Sequence, residues 1–323
     1  MSSGTGGGTG GEAVRLDREL VDLLRCPAEG GGSLAADGDD LVCPECGRRF
    51  PVSDGVVSFL SAQELSDQDH REREMRDEES SWYDAMFEGY TNAVEVPAAV
   101  SRVGRPTGPI LDAGCGTGRI TEALVALGQP VVAVDYSGVC LRRMLERVKG
   151  ARVLAVQSDL RAIPLAPGSM AAATCIEVYS QLRAPDRRRL LDSLARALAP
   201  GSPLSITAFN YNLLFRAWKL KGNQGARTGE HMLGGDYFYH RFTRDELSAE
   251  IGAVFEVDEV TGMRNIPART ISAALGKVGL TGAGDRFLSY MVERGHRADT
   301  ALERKPALSG VTGFFWQVRA RRR

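Results

Sequence analysis

The sequence predicts an α/β protein built on a doubly wound, mostly parallel, seven-stranded sheet with helices on both faces, preceded by a small cysteine-bearing β unit. Three observations predict it. From Pro109 onward, apolar runs of about four to eight residues alternate with helical patterns, as in a βαβ array. One of those runs leads into a glycine-rich turn, Gly114-Cys115-Gly116-Thr117-Gly118, that opens a helix. Cys26, Cys43 and Cys46 cluster near the N-terminus, whereas Cys115, Cys140 and Cys175 are scattered through apolar surroundings. The composition agrees: 323 residues with 43% hydrophobic and 25% charged content can bury a core, which excludes wholesale disorder. Forty basic residues balance 41 acidic ones, so no global field recruits nucleic acid or an anionic membrane. No stretch reaches the roughly 18 apolar residues that insert into a bilayer, and no secretory pattern opens the chain, so a cytoplasmic location is expected.

Taken in order, residues 1–15 read as a flexible glycine-rich tail and 16–62 as a compact cysteine unit. That unit starts with an amphipathic helix, LDRELVDLL, and continues as the strand pair LVCPECGRRFPVSDGVVSFL. Residues 63–81 are almost wholly charged and polar, the pattern of a solvated linker or exposed helix. The main body, 82–323, opens with WYDAMFEGYTNAVEV, which is aromatic at helical spacing. Strands are predicted at 109–113, 131–135, 153–157, 170–177, 203–208, 254–260 and 313–320, with helices near 119–128, 138–148, 186–198 and 244–252. Segments 210–242 and 262–311 are too long for plain connections and are expected to build a substrate pocket. The terminal run Arg319-Ala320-Arg321-Arg322-Arg323 reads as a solvated tail.

The glycine turn carries the chemistry. Its glycines let the backbone turn tightly and let a ligand approach without a Cβ in the way. The form here is GxGxG rather than the dinucleotide GxGxxG, and Asp112 stands two residues ahead of it. A carboxylate there repels a pyrophosphate and attracts an ammonium group, which suits a cationic, phosphate-free cofactor. The next strand ends in Val134-Asp135-Tyr136, where an acid can grip ribose hydroxyls. Asp159 follows the third strand, open to a reading as a loop or capping aspartate.

With these residues the chain resembles the class I S-adenosylmethionine-dependent methyltransferases over about residues 82–323. LDAGCGTG is similar to the family's first motif, AVDYS to its acidic ribose motif, and QSDLRAIPLAPGSMAAATCIEV to its adenine-binding and fourth strands. The resemblance implies a Rossmann-like sheet and S-adenosyl-L-methionine as cofactor. It further implies that Gly114, Gly116 and Gly118 line the methionine and ribose, Asp112 steers the amino group, and Asp135 with Tyr136 holds the ribose. Asp159 with Leu160 would contact adenine, Glu177 would complete the cofactor side, and Tyr83 would fold over the cofactor or pack an entry helix.

A sulfonium methyl is already electrophilic, so the protein must chiefly align a nucleophile. Candidate catalytic groups are Tyr179, after the fourth strand, and His231 and His240 in the aromatic insertion, each equally readable as a packed core residue. The Asn/Asp-Pro-Pro-Tyr/Phe tetrapeptide of adenine and glutamine amino-methylation is absent, and Glu177-Val178-Tyr179-Ser180 stands where it would fall. The expected reaction is methylation of an O, N or C atom of a small organic molecule, with a binding partner of the same kind. An RNA methyltransferase and a non-catalytic cofactor-binding module are the alternatives.

Cys43-Pro44-Glu45-Cys46-Gly47 has zinc-knuckle spacing, and a returning strand after it disfavours a redox CxxC, which opens a helix. The unit resembles the small zinc-ribbon domain that activates tRNA and protein methyltransferases, with LLRCP, LVCPECGRRFPV and DGVVSFL as the matching pieces. That family has cysteine where Glu29 stands. Cys26, Glu29, Cys43 and Cys46 are thus either a zinc site with a carboxylate ligand or a metal-free relic supported by packing.

Overall fold

A computed structural model describes residues 16–28, 31–60, 70–80 apart from 72 and 79, 89–212, 229–233, 237–266, 271, 275 and 277–323. All seven predicted strands are present, and four more join them in one eleven-stranded sheet. β6 (Ile110–Ala113), β7 (Val131–Asp135), β8 (Val153–Gln157), β9 (Ala172–Cys175) and β10 (Pro203–Asn210) run parallel in the order β8-β7-β6-β9-β10. β14 (Phe315–Arg322) lies antiparallel on β10, and β13 (Phe255–Met263) lies antiparallel on β14. The parallel strands read as continuous Val, Ile, Leu and Ala runs because helices cover both faces. Among these are α2 (Tyr90–Val103), α3 (Arg119–Val125), α4 (Gly138–Arg147), α5 (Ala184–Ala197) and α6 (Arg244–Gly252), each within a few residues of its predicted span where one was predicted. Thr243 caps α6 through a reciprocal capping box with Glu246.

The cysteine unit does not stand apart from this sheet. Its α1 is a single turn, Arg18–Val21, and a three-stranded antiparallel sheet follows from β1 (Ala35–Asp37), β2 (Asp40–Val42) and β3 (Arg49–Phe50). The next hairpin, β4 (Val52–Ser53) and β5 (Val56–Ser58), leaves that sheet, and β5 pairs in parallel with β8. Leu24 bridges Leu165, and Leu20, Leu24, Phe50, Val57 and Phe59 are buried in the same hydrophobic core as Leu154, Val156 and Ile163. Burial at roughly 25 cal/mol per Å² therefore stabilises the unit through the main sheet as well as through itself.

Three segments take a definite form. Within 63–81, expected to be a solvated linker or exposed helix, the described residues of 70–80 are helical and lie on the main body, with Arg76 Nη2 donating to Gln181 Oε1 at 2.6 Å and Ser80 buried. Two of its charged residues meet partners on the sheet's loops, Arg76 at Gln181 and Asp77 at the Ser137 hydroxyl. The terminal arginines are not a tail but the end of β14, and Arg321 pairs with Asp258 across the β13 edge at 2.8 Å. The insertion 210–242 contributes a hairpin, β11 (Gly229–Leu233) and β12 (Tyr237–Phe242), and β12 joins the sheet by pairing with the end of β10. The described part of 262–311 contains α7 (Thr281–Tyr290), α8 (His296–Glu303) and α9 (Pro306–Thr312). Gly262 and α9 touch so closely that a methyl at Gly262 would overlap the Ser309 carbonyl.

Candidate active site

The carboxyl ends of β6, β7, β8 and β9 converge with the glycine turn. Gly114, Gly116 and Gly118 take φ of 76°, 53° and 90°, conformations that side chains rarely adopt. Space is refused as well as torsion: a methyl at Gly118 would stand 2.6 Å from Met144 Cγ, and one at Gly114 would overlap Val178. The turn is held from β7, since Asp135 Oδ2 accepts from the Gly116 N–H at 2.8 Å and Oδ1 from the Ser137 N–H at 2.9 Å. Burial raises the Asp135 carboxyl above its ordinary range, and the backbone donors at Ser137 and Gly116 oppose that rise.

Asp112 lies beneath the turn, 1% exposed, and accepts hydrogen bonds from Thr121 Oγ1 at 2.7 Å and Thr174 Oγ1 at 2.8 Å. Burial pushes its carboxyl up to about 6. Both of its oxygens are thus engaged by hydroxyls. Asp159 caps its own turn through the Arg161 N–H at 2.8 Å and also pairs with the Arg161 guanidinium, with half-buried Leu160 beside Gly114. Tyr136 follows Asp135 and is half-buried, its carbonyl accepting from Gln157 Nε2.

The catalytic candidates separate. Tyr179 is fully buried, packs on Phe242 and donates to Glu250 Oε2 at 2.7 Å. His240 is 7% exposed, stacks on Phe242 and has Nε2 2.8 Å from Glu246 Oε1, a packed position. His231 sits on β11, paired with Tyr239, while its side chain lies outside the described residues, as do Tyr83 and Glu29.

Glu177 follows β9 and precedes Val178, which lies over Gly114, and it is surrounded by a group of charged residues that carries no motif. It takes φ of 61°, its N–H donates to Thr207 Oγ1, and its side chain is 8% exposed. Around it are Arg119 at 3.9 Å, Arg264 at 3.5 Å and, through those arginines, Glu95 at 2.9 and 3.0 Å. Burial and the neighbouring Glu95 raise the Glu177 carboxyl well above its usual range, opposed by both arginines. Beyond Arg264 lie Phe209, Tyr239, Phe314 and Phe315, linked by ring contacts of 4.7 to 6.1 Å. All but Phe315 are half-buried, so part of this aromatic surface remains open.

A family model described as "Methyltransferase domain" matches residues 110–201, and one described as "Trm112p-like protein" matches residues 17–55. A curated relative, the ubiquinone biosynthesis O-methyltransferase of Xanthomonas campestris, is 30% identical over 190 residues, covering 55% of this chain and 75% of that one. The chain belongs to the class I S-adenosylmethionine-dependent methyltransferases. Solved methyltransferases share its fold. A Burkholderia thailandensis 1,6-didemethyltoxoflavin-N1-methyltransferase aligns with a TM-score of 0.51 at 16% identity, covering 89% of this chain and 97% of that one. A Haemonchus contortus phosphoethanolamine N-methyltransferase 2 aligns with a TM-score of 0.51 at 18% identity, covering 80% and 61%.

The methyltransferase's own geometry fits its cofactor, because the glycine turn leaves a cradle that a Cβ would fill and carboxylates flank it on two strands. Its cysteine unit likewise suits a structural metal. The sulfurs of Cys26, Cys43 and Cys46 lie within 4.8 Å of one another, and Cys26 to Cys46 is 3.7 Å. Thiolates on a zinc tetrahedron with about 2.3 Å bonds stand about 3.8 Å apart. Backbone N–H groups of Cys46 and Glu45 lower the Cys43 thiol, favouring the thiolate that a metal needs. No helix among the described residues of the methyltransferase is long and apolar enough to cross a membrane.

Proposed function

We propose that the chain methylates an oxygen atom of a small, ring-bearing organic molecule lying against Phe209, Tyr239 and Phe314. The open aromatic surface at the end of β10, two strands along the sheet from β6 and its glycine turn, carries this reading, since such walls bury apolar rings and leave the reacting atom oriented by a few polar groups. That the Xanthomonas relative is an O-methyltransferase supports the acceptor atom.

When bound, S-adenosylmethionine supplies a methyl group on a sulfonium, so the chain's residues need only bind, orient and exclude water. Asp135 serves the ribose: each of its oxygens spends one lone pair on a backbone N–H and keeps another for a hydroxyl. Gly114, Gly116 and Gly118 give backbone access, and Leu160 offers an apolar face for the adenine. Asp112 contributes negative potential toward the amino group.

Incubation with methyl-labelled cofactor and a small-molecule extract, beside bulk RNA, tests the reading. Label is expected in the small-molecule fraction, and Asp135→Ala is expected to weaken cofactor binding by about 1 to 3 kcal/mol through unpaired ribose hydroxyls. Label confined to RNA, or unaltered binding in the variant, would refute the corresponding half.

A further inference from the structure

Two of the three non-glycine residues with positive φ among the described residues are Glu177 and Arg264, at 61° and 56°, and their side chains meet at 3.5 Å. The third, Asp54, sits in the β4–β5 hairpin turn, where such a conformation is ordinary. Strained backbone at two facing residues persists only where surrounding contacts over-determine it, and it concentrates at functional sites. Here Thr207 accepts from the Glu177 N–H at 2.7 Å, Gln181 donates to the Glu177 carbonyl at 2.6 Å, and Glu95, fully buried on α2, pairs with Arg264 at 3.0 Å.

We propose that Arg264 is the residue that recognises the acceptor, and that the acceptor is an aromatic compound bearing an anionic oxygen. This rests on the small-molecule reading above and names its substrate class. The guanidinium of Arg264 stands 5.1 Å from the Phe315 ring and 5.7 Å from the Phe314 ring, so it lies on the same aromatic surface that would hold the acceptor ring. Arg264 is the open member of its cluster: its side chain is 23% exposed, against 6% for Arg119, 8% for Glu177 and none for Glu95. Glu177 is followed by Val178, which packs over Gly114, so the cluster adjoins the turn that cradles the cofactor.

Exposure, rather than net charge, favours an anion. Two guanidiniums face two carboxylates, and of these four groups Arg264 alone reaches the surface appreciably, so the cluster presents a cation beside an apolar wall. Planar guanidinium geometry pairs a carboxylate or phenolate through two parallel hydrogen bonds.

Calorimetry on the chain saturated with S-adenosylhomocysteine tests this with three probes: 3,4-dihydroxybenzoate, 4-nitrocatechol as its phenolate, and neutral 3,4-dihydroxybenzamide. At least one anion should bind about ten-fold tighter than the amide, and which one identifies the anionic group. Arg264→Met should reduce that preference to within about two-fold, and Arg264→Lys should retain part of it. Glu177→Gln, which removes a competing negative charge, should hold or tighten anion binding, so a general loss of folding cannot imitate the pattern. The proposal is overturned if the amide binds as tightly as both anions, if none of the probes binds, or if Arg264→Met keeps the preference. Loss of S-adenosylhomocysteine binding itself would instead count against the cofactor site.

Discussion

Replacing Asp112 with Asn should stabilise this protein while impairing its cofactor site. The carboxyl is 1% exposed and its ordinary value of 3.8 is raised to about 6, chiefly by burial. That difference corresponds to about 3 kcal/mol of unfavourable free energy for holding the charged form inside the fold at neutral pH. The sign follows from proton binding. Between pH 3.8 and about 6 the folded chain holds a proton that the unfolded chain has released, so this group's contribution to stability declines as pH rises through that window and stays low above it. Asn keeps the shape without the charge, although one Thr121 or Thr174 hydroxyl must turn to accept from its NH2. Allowing for that reorientation, Asp112→Asn should be about 1 to 3 kcal/mol more stable at pH 8 and nearly equal to the parent near pH 4.5. Urea unfolding across pH 4.5 to 8 measures the gap, and calorimetry with S-adenosylmethionine should show weaker binding. A variant less stable than the parent at pH 8, or a gap independent of pH, would refute the reasoning.

Gly118→Ala should destabilise by about 2 to 4 kcal/mol and abolish cofactor binding, because the methyl meets both Met144 Cγ at 2.6 Å and Met144 Cα at 3.1 Å and no rotamer relieves the second contact. Tyr179→Phe should cost about 1 kcal/mol in thermal unfolding, from the lost hydrogen bond to a Glu250 carboxylate that keeps its pairing with Arg187, with turnover of the folded enzyme unchanged. Elemental analysis is expected to find up to one zinc per chain. Chelation should then raise amide exchange over residues 16–60 and along β8, to which β5 is bonded, while cofactor affinity changes little.

The sequence alone determined the parallel sheet and the cofactor class, because both rest on short-range patterns. Continuous apolar runs such as VVAVD mark strands covered on both faces, and a turn with φ of 76°, 53° and 90° demands glycines at fixed spacing. The cysteine spacing was legible for the same reason. Partnerships between distant segments were not. Glu95, Arg119, Glu177 and Arg264 come from four elements, and no local pattern distinguishes a buried Glu on α2 from a solvated one. That Tyr179 donates to Glu250 and that His240 meets Glu246, both on α6, is revealed only by packing. Likewise β5 is a short, ordinary strand in sequence. The tertiary structure pairs it with β8 because an open edge of hydrogen-bonding groups is stabilised by any strand that can reach it.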